Sequence, residues 1–277
     1  METRKFSGKW ITDDVFCDLA PRNVFHRQLE KFDLPADENA DSHVLFLKKF
    51  ILEKTPDNAV AYISADDHYK LYINGKFVCQ GPSPSYRSGY NYNEVDVTEY
   101  LATGENVIAV HTYYQGLINR VWVSGDNCHG LIMDVIVDGT LAVKSDESFL
   151  THRHAGFSPL GIVGYGTQFC ERYDSRAAED GFQFPNFDDR GWEHAKERKY
   201  VDYELRPQST KRAMIRLRFS PLLPCFADLR GAAKKRGYAI LYSTKALGRV
   251  CSKRGRPRLS RVGARTASGT RRFSTLL

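Results

Sequence analysis

Apolar and polar residues alternate with a period of two in several short stretches of the first 150 residues. That is the pattern of strands with one face buried. The clearest stretch is Ala61–Pro82, AYISADDHYKLYINGKFVCQGP, which predicts two strands joined by a tight turn. Tyr62 and Ile63 open the first strand, and Asp66-Asp67 read as short turn-forming acids that break it. Tyr69, Leu71 and Ile73 then alternate with Lys70 and Tyr72. Asn74-Gly75 supplies the positive-φ pair of a type I′ turn, and Phe77 and Val78 return the chain.

Further strands are predicted over His43–Leu52, whose start is apolar on both faces, and over Asn93–Thr98, Val107–Tyr114, Gly130–Asp138 and Leu141–Lys144. Thr55-Pro56-Asp57-Asn58 and Gly104-Glu105-Asn106 punctuate them as turns. Residues 151–166 read as irregular, 182–195 as a compact segment around Trp192, and Glu204–Thr210 as an extended exit. Short strands at short intervals with almost no helical period predict an all-β, antiparallel β-sandwich of the jelly-roll kind. Residues 211–277 keep neither period and are expected to be an unstructured tail, so the chain divides into 1–210 and 211–277.

Charge sharpens that boundary. Residues 1–210 hold 22 basic against 32 acidic side chains, a net −10, whereas 211–277 hold 18 basic against one acidic, Asp228, a net +17. A tail so basic suits nucleic acid through counterion release, but it lacks interleaved aromatics and any recognisable module. Nucleic-acid binding is therefore the weaker alternative. No apolar run approaches the roughly 18 residues that span a bilayer. The polar start METRKFSGKWITDD lacks a secretory core, which makes the cytoplasm the expected location and a membrane partner not expected. The six cysteines have no C-x-x-C pair and read as free, mostly buried thiols.

Candidate chemistry is sparse. Adjacent acids at Asp13-Asp14, Asp66-Asp67 and Asp188-Asp189 point to opposite faces of a strand and read as turn residues, not as the paired carboxyls of a glycosidase. His152-Arg153-His154 lacks a third metal ligand. Two loops carry the aromatic, carboxamide and charged types that recognise sugars: Tyr90 and Tyr92 in one, Asn119, Arg120, Trp122 and Asp126 in the other. Core packing accounts for the same aromatics, so both readings stay open.

The stretches YISADDHYKLYINGKFVCQGP, YNYNEVDVTEYLATGENVIAVHTYYQG, GLIMDVIVDG followed by SDESF, and ERYDSRAAEDGF with PNFDDRGWEHA together resemble the N-terminal β-sandwich of bacterial α-L-rhamnosidases, over about residues 5–210. The first two are shared with many galactose-binding-like sandwiches; the YDSR and FDDRGW ending is more specific. The resemblance implies a galactose-binding-like fold that precedes further β domains and a helical barrel carrying the catalytic acids. None of those acids maps onto this chain, so it is expected to be a truncated, non-catalytic accessory domain, in structural support of the absent catalytic domain or binding rhamnose-containing glycosides. A free-standing sugar-binding module is the alternative. No cofactor is expected from the residues themselves; the resemblance adds calcium as a ligand of some relatives, with no residues assigned. The resemblance and the charge balance break together near Thr210, a pattern that a frameshift produces and that sequencing the coding DNA tests.

Overall fold

A computed structural model describes residues 4–22, 24, 38–118, 124–164 and 167–210. All lie in the first of two units into which the chain divides, Met1–Ile215. The expected tail, 211–277, lies outside the described residues.

The strands in chain order are β1 (Ile11–Thr12), β2 (Ser42–Leu52), β3 (Ala59–Asp66), β4 (His68–Ile73), β5 (Lys76–Gly81), β6 (Tyr90–Asp96), β7 (Gly104–Tyr114) and β8 (Gly130–Val137). They continue with β9 (Thr140–Lys144), β10 (Leu150–Arg153), β11 (Phe157–Val163), β12 (Gln168–Tyr173), β13 (Glu193–His194), β14 (Lys196–Glu197) and β15 (Leu205–Pro207). One sheet runs β14-β1-β8-β3-β6-β15, with β9 on β8; the other runs β13-β10-β2-β7-β4-β5. The fold is therefore the all-β sandwich that the alternation predicts. Its pairs are antiparallel except β15, which runs parallel to β6. The exit segment is thus an edge strand of the first sheet.

The core forms where the inner faces meet. Ile63, Leu131, Met133 and Val135 of one sheet pack with Val44, Phe46, Leu71, Ile108 and Val110 of the other. β2 and β7 are apolar on both faces because both are covered. Leu45, Leu47, Val107 and Ala109 turn outward and meet Phe182, Phe187 and Trp192. The compact segment at 182–195 is therefore a lid on the outer face of the second sheet.

Two expectations need correction. Ala61–Pro82 holds parts of three strands and not two: β3 belongs to the first sheet and β4–β5 to the second, so Asp66-Asp67 is the crossover between sheets. Of the residues expected to be irregular, 151–164 are largely regular, because β10 pairs with β2 and β11 with β12. Pro159 and Gly161 in β11 disguise the alternation, and the register shifts between Pro159 and Ile162.

Candidate functional site

The strand registers gather one set of chain ends at one end of the sandwich. Ser42 opens β2 opposite Tyr114 at the close of β7, and His68 opens β4 opposite Tyr113. Asp66 closes β3 opposite Gly130. The Asn74-Gly75 turn lies at the other end of β4, so it does not touch this region.

The crossover acids are interior. Asp66 and Asp67 do break the strand, between β3 and β4, but each is 2% exposed, so these turn acids are buried and not solvent-facing. Asp67 Oδ2 accepts hydrogen bonds from Ser124 Oγ at 2.6 Å and the Gln115 backbone N–H at 2.7 Å. Asp66 Oδ2 accepts the hydroxyl of Tyr203. Asp126 is buried nearby and accepts the Cys128 backbone N–H at 2.9 Å. Burial, then the charge of Asp67, raises Asp66 well above the ordinary carboxylate range. Burial likewise pushes Asp67 and Asp126 up to about 7. Burial and the Asp126 charge push the Cys128 thiol up to about 12. The charge of Arg198, 3% exposed, acts on Asp66 and that of Arg87 on Asp126. This is a buried polar knot in which Asp67 Oδ1 and Arg198 Nε and Nη2 have no hydrogen-bond partner.

The carboxyl oxygens of Asp66 and Asp126 and the Cys128 sulfur lie within 4.8 Å of one another. Calcium takes six to eight oxygen ligands. A protonated thiol and a nearby guanidinium oppose it, so this donor set does not fit calcium.

Beside the knot lies a cleft of about 300 Å³. One wall carries His43, His68 and His111; Lys70 and Glu171 bring opposite charges, Gln80 and Gln208 carboxamides, and Pro82, Pro84 and Tyr113 apolar surface. His43 is 8% exposed and its ring stacks on Phe157 at 3.9 Å between centroids. Its Nδ1 shares a hydrogen bond of 2.9 Å with His111 Nε2. Its Nε2 has no hydrogen-bond partner, and Asp41 Oδ1 stands 4.0 Å away. Burial lowers His43 to about 3 and His68 to about 4, and drives His111 well below the ordinary imidazole value. All three rings are therefore neutral at pH 7.

Of the residues proposed from sequence for sugar contact, the described ones, Tyr90, Tyr92 and Asp126, do not line this cleft. Tyr90 and Tyr92 are each 4% exposed. Tyr90 packs edge-on against Trp10 and Tyr203, and Tyr92 against Phe6. Their faces are occupied by protein, as the core-packing alternative has it. Asp126 belongs to the sealed knot. Asn119, Arg120 and Trp122 lie outside the described residues. His152 and His154 both reach Glu179, at 3.4 and 2.6 Å. Asp188 pairs with Arg190 and Asp189 with Lys49. Cys17, Cys79, Cys128 and Cys170 are free thiols, two buried and two half-buried. The cleft residues escaped sequence reading because His43 and His111 are 68 positions apart, and only the β2–β7 register makes them neighbours.

The model of a family described as the alpha-L-rhamnosidase N-terminal domain matches residues 54–216. An alpha-L-rhamnosidase of Formosa agariphila is 26% identical over 206 residues, which covers 69% of this chain and 21% of that protein. Among solved structures, the GH78 family rhamnosidase of Bacillus sp. GL1 is similar over 70% of this chain and 18% of its own, with 25% identity and a TM-score of 0.57. The native alpha-L-rhamnosidase from Aspergillus terreus is similar over 63% and 21%, with 26% identity and a TM-score of 0.50. The chain spans about a fifth of the length of these relatives.

Proposed function

The chain belongs to the alpha-L-rhamnosidase N-terminal domain family, and on that premise we propose that it is a non-catalytic accessory domain that supports a rhamnoside-cleaving catalytic portion and contacts rhamnose-containing glycosides. The observation that carries this reading is the state of the carboxyls. Cleaving a glycosidic bond takes two of them facing the substrate, roughly 5–10 Å apart. Asp66, Asp67 and Asp126, which do cluster, are sealed inside and depend on protein partners. Among the described residues, Glu171 is the single carboxylate lining the cleft. One exposed carboxylate supplies an acid or a base, not the pair.

Incubating the purified chain with an aryl α-L-rhamnoside tests the proposal. No release of the phenol above the buffer rate is expected. Turnover that scales with the amount of chain and survives repurification would contradict it.

A further inference from the structure

We infer that Asp66, Asp126 and Cys128 form a buried site for a borderline-soft divalent metal ion, zinc above all, which ties the end of β3 to the chain entering β8. The inference is independent of the accessory-domain reading and of any sugar contact.

Strand register brings the three donors together. Asp66 closes β3 opposite Gly130, the first residue of β8, and Asp126 and Cys128 lie four and two positions before that glycine. Their ligand atoms lie within 4.8 Å of one another. The three residues are 2%, 5% and 0% exposed. Zinc holds sulfur at about 2.3 Å and oxygen at about 2.0–2.2 Å in a tetrahedron, so its ligands stand roughly 3–4 Å apart and shifts of about an ångström close the set. His129, next in sequence, is not a ligand, because its two ring nitrogens are each bonded at 2.8 Å, to Thr12 and Thr112. The ligands are also held from their other sides. The Tyr203 hydroxyl donates to Asp66 Oδ2, and the Cys128 backbone N–H donates to Asp126 Oδ1 at 2.9 Å. Bonds of this kind aim metal ligands.

The orphaned atoms of the knot point to an ion. Arg198 Nε and Nη2 are buried donors without a hydrogen-bond partner, and the guanidinium charge acts on Cys128. A protonated thiol is a poor acceptor for them, whereas a metal deprotonates its thiol ligand and leaves a thiolate. Asp67 Oδ1 is a buried acceptor without a partner, on a carboxyl that interacts with both Asp66 and Asp126. A water in the fourth position on the metal has protons to give it. Charge and softness select the ion. Three ionised donors carry three negative charges, which a divalent cation and the Arg198 guanidinium together match, as burial requires. Sulfur selects against calcium and magnesium, which take oxygen. On binding, the Cys128 thiol gives up its long contact to the Asp126 carbonyl, 3.6 Å, and its proton leaves for solvent.

The test is absorbance titration of the full chain with cobalt(II), which reports sulfur ligation through a thiolate-to-cobalt charge-transfer band. The chain is reduced, stripped with EDTA and refolded in the presence of the metal. Three variants run beside it: Cys128→Ser, Asp126→Asn, and a control carrying Cys17→Ser, Cys170→Ser, Cys225→Ser and Cys251→Ser. One cobalt per chain is expected, with a band that zinc removes and excess calcium does not. The band should vanish in Cys128→Ser and persist in the control, and cobalt affinity should fall about tenfold or more in Asp126→Asn. A band that survives Cys128→Ser, or that the control loses, places the metal on other thiols and overturns the site. Absence of the band at excess cobalt overturns it too. Should Cys128→Ser fail to fold, Asp126→Asn decides, because it keeps the side chain's volume: unchanged cobalt affinity there contradicts the site.

Discussion

The two ends of the sandwich are closed by different physics. At one end β4 turns into β5 through Asn74 and Gly75, whose φ values are +50° and +82°. At the other, β3 crosses to β4 through Asp66 and Asp67, whose partners Gln115, Ser124 and Tyr203 lie 48 to 137 residues away. The first is a local solution: Gly75 takes a conformation that a side chain resists, and the turn follows from two adjacent residues. The second holds only if distant segments deliver a hydroxyl, a backbone N–H and a guanidinium to one place. The cleft lined by His43, His68 and His111 lies at the second end as well.

The largest effect is expected from removing the buried cation. Arg198→Leu removes the buried cation that acts on Asp66, and breaking such a buried arrangement costs about 3–5 kcal/mol. Chemical denaturation measures it. A loss under about 1 kcal/mol would show that Arg198 does not balance the acids.

At the opposite end, Asn74 does more than turn the chain. Its Nδ2 donates to the Tyr100 carbonyl at 2.9 Å and to Asn106 Oδ1 at 2.8 Å, and its Oδ1 accepts the Val107 backbone N–H at 2.8 Å. Asn74→Gly keeps the positive φ and deletes these bonds. A cost of about 1–3 kcal/mol is expected. A neutral result would mean that the backbone conformation alone closes this end.

The effect that is smallest at any one pH step is in pH dependence, and it again separates the ends. Asp67 and Asp126 keep their protons up to about pH 7 in the folded chain, whereas unfolded carboxyls release them near 4. The folded state then binds more protons, so these groups lower stability as pH rises from about 4 to 7. His43 and His68 do the reverse. Folded they stay neutral down to about pH 3 and 4, and unfolded they charge below about 6.5, so their contribution raises stability over that rise. The opposing slopes cancel in part between about pH 4 and 6.5. Asp67→Asn removes one falling contribution and should make stability climb with pH there, by up to about 1.4 kcal/mol per unit. A slope equal to that of the parent chain would contradict it. Asn74→Gly should leave the slope unchanged.

This contrast also explains what the sequence could reveal. Alternation made β4, β7 and β8 legible, and Asn74-Gly75 carried its own turn, because each depends on neighbours along the chain. Asp66-Asp67 looked like a turn because short polar residues usually are one; its burial is decided by partners far away in sequence. Tyr90 and Tyr92 had the right chemistry for a sugar platform, but their neighbours Trp10, Phe6 and Tyr203 come from the two extremes of the domain. The histidines of the cleft are single residues on separate strands, and no local pattern marks them. β11 was missed for another reason: Pro159 and the register shift beside it erase the period of two.

The central claim is that the distant segments meeting at this end of the sandwich bury His43, His68 and His111 as neutral rings. Imidazole ¹⁵N chemical shifts of the full chain, followed from pH 5 to 8, test it most directly. All three rings are expected to stay neutral throughout. Titration of these rings near pH 6.5 would contradict it.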